Sequence, residues 1–89
     1  MSPDSRSTVS SAKTIAYSTD DFNFETLEQE NGKAVVIKFR LEDPYYNAGD
    51  VVVVMNNDDI LFHGMIGQLA DGWAIASDRR DSLLPAKTE

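Results

Sequence analysis

The sequence predicts an all-β domain, a small antiparallel, partly open β-barrel of five to six strands preceded by a disordered N-terminal tail. Three observations predict it. Apolar residues alternate on both sides of Asn31-Gly32, a dipeptide suited to a two-residue hairpin turn. A valine run, Val51 to Val54, follows a proline-containing loop and reads as a strand covered on both faces. Short strand-like segments then recur between the turn sequences "NNDD" and "ADGW", as in small barrels.

The chain of 89 residues has volume for one core. Residues 1–14 are rich in Ser and Thr without periodicity and read as a disordered tail; residues 15–85 form the single β domain, and 86–89 a C-terminal tail. At the junction, "TIAY" at 14–17 reads as a short edge strand. The segment "STDDFNFETLEQE" carries two signals: Ser18 with Asp21 three residues on resembles a helix cap, whereas Phe22, Phe24 and Thr26 alternate as in a strand. A type I′ turn at Asn31-Gly32 would pair position i with 63 − i, setting Phe22 against Leu41, Phe24 against Phe39, Thr26 against Ile37 and Glu28 against Val35. The other face would then hold Glu25 opposite Lys38. Turn chemistry, alternation and charge agree on a hairpin of about 22–30 and 33–41, with a helical turn over 19–28 as the alternative.

Beyond the loop "EDPYYNAGD", Val51–Met55 forms the buried strand and "NNDD" turns the chain. Ile60–Leu69 follows, interrupted by Gly64 and Gly67, which mark bends, bulges or close backbone approach. Asp71-Gly72 supplies the next turn, and Trp73–Ser77 returns antiparallel with Trp73 as a core anchor. "SDRRDSLLP" closes the domain as a loop with a last short strand at Leu83-Leu84.

Composition narrows the function. With no cysteine there is neither disulfide nor thiolate chemistry, and with one histidine, His63, a zinc set would consist almost wholly of carboxylates. No metal or cofactor is expected. The net charge is −7, and residues 17–89 hold six basic against fourteen acidic residues, a net of −8. Direct nucleic-acid binding needs a clustered cationic face, which an acidic chain with a single adjacent basic pair, Arg79-Arg80, does not offer. The longest apolar run, "VVVVM", is far shorter than a membrane span, and "MSPDSRSTVSSAKT" has no apolar signal-peptide region, so a cytoplasmic location is expected.

In "RLEDPYYNAGDVVVV", Pro44, Gly49 and Asp50 are spaced as in the segment after the catalytic serine of LexA-type and phage repressors, whose usual form is Ser-Met-x-Pro followed by Gly-Asp. "DGWAIASDRRDSLLP" is similar to their later strand of the type "gWyLvSdN", and the resemblance covers residues 37–85. It implies a LexA C-terminal-like fold and dimerisation; SH3-like barrels carry similar short patterns. The departures fall on the chemistry. Leu41 stands where the serine would, Glu42 where the methionine would, and Ile60–Leu69 contains no lysine. A Ser-Lys dyad needs a desolvated amine beside a hydroxyl. The resemblance therefore implies a fold and argues against the activity.

Candidate contact residues are Tyr45, Tyr46 and Asn47, because adjacent tyrosines give large contact area at low entropic cost. The alternative has one ring capping the barrel and the other solvated. Arg79 and Arg80 could engage a partner's carboxylates or pair with the flanking Asp78 and Asp81. His63 lies about 13 Å along the strand from Asp59, too far for a base–carboxylate pair. "NNDD" lacks the ligand spacing of a calcium loop. No catalytic residue is assigned. The expectation is a non-enzymatic protein-binding module or regulator of phage or plasmid type, acting through contact with another protein, an exposed strand edge, or a homodimer. The alternative is an acidic inhibitor that mimics nucleic acid at a basic cleft, which requires carboxylates aligned on one face.

Overall fold

The computed structural model describes residues 12–86. The expected tails lie outside the described residues over positions 1–11 and 87–89. Six strands form one mixed sheet: β1 (Thr14–Ser18), β2 (Phe24–Glu30), β3 (Lys33–Arg40), β4 (Val51–Asn56), β5 (Asp59–Ala70) and β6 (Trp73–Ser77). No helix occurs among the described residues. The order across the sheet is β1-β4-β5-β6-β3-β2. Every neighbouring pair is antiparallel except β1 and β4, which run parallel, so the antiparallel expectation is corrected at that pair. Parallel neighbours need a long crossover. Here the β2–β3 hairpin provides it, because the chain crosses to the far edge before returning as β4 beside β1. No ladder joins β1 to β2, and the sheet is open between them.

The β2–β3 hairpin forms around Asn31 (φ 55°) and Gly32 (φ 80°), both left-handed as a type I′ turn requires. Phe24 faces Phe39, Glu25 faces Lys38 and Thr26 faces Ile37 as the turn dictates. The ladder is then irregular on both sides of Glu28, which meets Val36 rather than Val35, so that Leu27 on β2 and Val35 on β3 have no ladder partner across this pair of strands. A β-bulge of this kind leaves one residue of a strand unopposed. Phe22 lies just before β2 and not in its ladder; its ring is buried, stacked on Tyr17 at 4.5 Å and set edgewise to Phe39 at 5.3 Å. Ser18, the candidate helix cap, holds a turn instead. Its Oγ accepts the Asp20 N–H and its carbonyl accepts the Asp21 N–H, which sends the chain into β2.

The core lies on one face of the sheet, where Phe39, Phe62, Ile37, Ile66, Val52 and Val54 are fully buried. Ile15 and Tyr17 reach it from β1, which curls over the opposite strands far enough for Tyr17 to contact Phe39. β4 is central, between β1 and β5, and Val53 on its other face is also buried. Fully buried runs of this kind are what a two-sided valine strand implies. The inward positions of β6 belong to Ala74 and Ala76. Trp73 therefore stands on the outer face with Ile75, half-buried, and the expectation of a core tryptophan is corrected. Lys38 and Arg40 of the adjacent β3 place their cations 4.9 Å and 4.8 Å from its ring.

The last described segment completes the sheet. Asp78 is buried and its carboxylate accepts the N–H groups of His63 and Asp81, which closes a turn after β6. Residues 82–86 then run into the slot between β3 and β5 that β6 has vacated. Leu83 donates to the Leu61 carbonyl, Leu84 accepts from Ala34, and Lys33 bridges Pro85. Lys13 and Thr14, placed in the tail by the sequence reading, belong to the folded part, since Thr14 pairs with Val51.

Candidate interaction surface

The loop 41–50 is where sequence reading places the contact residues, and its own polar groups determine its shape. Leu41 is buried and its N–H donates to the Gly72 carbonyl, which anchors the loop entrance on the β5–β6 turn. Asp43 accepts the Tyr45 N–H at 2.9 Å through Oδ1, an Asx turn that holds Pro44 and Tyr45 outward. The two tyrosines then separate. Tyr45 is 61% exposed, whereas Tyr46 packs against the core, with the rings edge-on at 5.0 Å. Burial and the neighbouring Tyr46 push the Tyr17 hydroxyl above its ordinary value.

Gly49-Asp50, the signature of the resemblance, joins three elements. Gly49 takes φ 99°, a conformation L residues rarely adopt, and donates to the Ile66 carbonyl while Ile66 donates back to Asp50. The buried Asp50 carboxylate accepts the Asn47 N–H at 2.8 Å and the Lys13 N–H at 3.0 Å. The Lys13 ammonium lies 3.3 Å from the same carboxylate. The Lys13 and Asn47 N–H groups, with help from the ammonium, hold this carboxyl below the usual range. Asp50 therefore ties the loop to the start of β1. The same ammonium sits 4.9 Å from the centre of the Tyr45 ring.

The arginines belong to another part of the surface. Arg79 does not pair with its flanking aspartates; it reaches across to β2 and binds both carboxylate oxygens of Glu28, at 2.7 and 3.3 Å. That guanidinium lowers the Glu28 pKa. Arg80 is exposed and lines, with Arg79, His63 and Met65, a recess of about 260 Å³. A larger open groove of about 480 Å³ runs between the loop and the β5–β6 turn, bordered by Glu42, Tyr46, Asp71 and Trp73. The Trp73–Lys38–Arg40 cluster and the role of Lys13 escaped the sequence reading. Alternation does place Lys38 and Arg40 on one side of β3, but nothing local says that β6 is their neighbour.

At the positions of the resembling serine and methionine, Leu41 is an apolar side chain turned into the core and Glu42 is exposed and paired with Arg40. His63 is exposed, and only its backbone N–H bonds Asp78. Among the described residues no group of three or more His, Asp or Glu side chains is placed to hold a metal ion. Nor is any described helix long and apolar enough to cross a membrane. Fold and surface together define a class: a small all-β domain on one open, mixed six-stranded sheet, with a tyrosine displayed beside its first strand. Comparison with protein-family models, with curated proteins and with solved structures finds no match.

Proposed function

We propose that the chain is a non-enzymatic, cytoplasmic, regulator-type domain that binds another protein, with Tyr45 at the centre of the contact surface. The observation that carries this reading is the state of Tyr45, exposed to solvent yet held by the Asp43 turn, the Tyr46 ring and the Lys13 cation. An aromatic ring already fixed in place gives contact area without a large ordering cost on binding. Asn47 lies on the same loop, while Arg80, exposed beside the Arg79–Glu28 pair, offers a second contact. The reading takes the open sheet as a partly open barrel, similar to LexA-type C-terminal domains or SH3-like ones, in which Leu41 has replaced a nucleophile.

The acidic-inhibitor alternative has less support. Glu28 and Glu42 are paired with arginines, and Asp50 and Asp78 are committed to backbone N–H groups inside the fold. These carboxylates do not make an aligned row. The test is affinity capture from the native host with wild-type protein and Tyr45→Ala, Tyr46 being left in place because it packs on the core. A prey lost from the variant, at unchanged melting temperature, supports the reading. Retention of every prey refutes it, and capture that weakens steeply with salt while ignoring Tyr45 favours the inhibitor.

A further inference from the structure

The sheet ends in two edges of different construction. β2 carries Glu25, Glu28 and Glu30 and the bulge at Leu27, features that discourage a further strand. β1 has none of these. Its sequence Thr-Ile-Ala-Tyr-Ser contains no charge and no proline, and it pairs with β4 without a register shift. The bonds that bracket it, Val51 N–H to the Lys13 carbonyl and Thr19 N–H to the Met55 carbonyl, show that odd-numbered residues face β4. The N–H and C=O of Thr14 and Ala16 and the N–H of Ser18 therefore point away from the sheet. No strand lies on that side of β1 among the described residues.

The two ends of this edge differ in chemistry. At the start stands Tyr45, joined to β1 through Lys13. At the finish the exposed Asp20 and Asp21 follow Ser18, and the β4–β5 hairpin end adds Asp58 in the turn and Asp59 at the start of β5. A recess of about 350 Å³ beside that end is lined by Ala16, Tyr17, Ser18, Met55 and Asn57. The described lysines and arginines lie elsewhere, on β3 and after β6, and Lys13 is engaged with Asp50.

We infer that β1 is the docking edge of the protein-binding surface and that its occupant is an extended basic segment of a partner polypeptide, added as a strand between Tyr45 and the Asp20–Asp21 end. The inference rests on the protein-binding reading above. β1 spans about 17 Å at 3.3 Å per residue, so the segment is about five residues long and is held mainly by main-chain hydrogen bonds. A cationic side chain near Asp20 and Asp21 supplies the charge complement. A second copy of the chain fits less well, because it brings another net charge of −7 to the interface.

The probe is the peptide Lys-Val-Thr-Val-Thr-Val-Lys, with a version carrying Glu in place of both Lys, each titrated to about 1 mM into ¹⁵N-labelled protein. The basic peptide should shift the Thr14, Ala16 and Ser18 amide resonances saturably, and the acidic one should bind at least about tenfold more weakly. Ala16→Pro removes an outward N–H without touching the β1–β4 bonds and should abolish the effect. Ala16→Lys, which leaves the backbone intact, should weaken basic-peptide binding about tenfold and guards against a proline variant that fails to fold. Absence of saturable shifts at those amides, equal binding of both peptides, or protection of the same amides by self-association of the protein alone overturns the inference. In the capture experiment, a prey lost from Tyr45→Ala but kept by Ala16→Lys refutes the edge assignment and leaves protein binding standing; a prey kept by both refutes both.

Discussion

Gly64 and Gly67 look alike in the sequence, and the structure predicts opposite responses to the same substitution. A methyl group added at Gly64 would lie 2.5 Å from Phe62 Cε1 and 2.6 Å from the Ser77 carbonyl oxygen, where ordinary contact begins at 3.4 Å. Close to an ångström must be opened on each side. Neither obstacle yields readily, since Phe62 is fully buried and the Ser77 oxygen belongs to the backbone of β6. Overpacking a core costs about 1–3 kcal/mol, and two rigid obstacles put Gly64→Ala at about 3 kcal/mol. For a domain of this size that lowers the melting temperature by about 12–24 °C. Urea unfolding followed by Trp73 fluorescence should show the midpoint falling by about 1–3 M. At Gly67 the nearest atom would be the Ile75 oxygen at 4.0 Å, so Gly67→Ala should stay within about 0.5 kcal/mol of wild type. If Gly64→Ala melts like wild type, or Gly67→Ala is the more damaging, the close approach of β5 and β6 at Gly64 is wrong.

Two further outcomes follow from the ion pairs, beside the Tyr45 and β1-edge tests above. The Asp50 pKa is depressed in the fold, so its contribution is present above the unfolded carboxyl value of about 3.9 and is lost as pH falls through the lower folded value. Asp50→Asn should therefore melt lower than wild type at pH 7, with the gap narrowing in thermal scans toward acid; a gap that widens would contradict the assignment. Glu28 and Arg79 are both well exposed, so Arg79→Ala should leave the melting temperature nearly unchanged at physiological salt. A large drop in a salt series would show that this pair matters more than its exposure allows.

Much of the strand pattern was legible in the sequence because its signals are local. Asn31-Gly32 and Asp71-Gly72 adopt the left-handed angles their residue types favour, and the register around the first turn follows from counting outward except at Glu28, beyond which it is restored. The valine run declares a strand buried on both sides for the same reason, since four adjacent β-branched side chains must fill two faces. The candidate surface was legible only in part. Two adjacent tyrosines mark the loop proposed for contact, but which ring reaches solvent depends on how Asp43 and the core divide them.

What the sequence by itself determined, then, is the six strands and their tight turns, each written in contiguous residues; the further strand expected at Leu83-Leu84 is instead an irregular segment with one bridge at Pro85. Tertiary structure alone decided the parallel β1–β4 pair, the neighbourhood of β3 and β6 that brings Lys38 and Arg40 to Trp73, the Lys13–Asp50 and Glu28–Arg79 pairs, and the return of residues 82–86 into the sheet. The reason is physical: alternation tells a strand which face is apolar but not which strand lies beside it, and that choice is made by the packing of side chains distant in the chain.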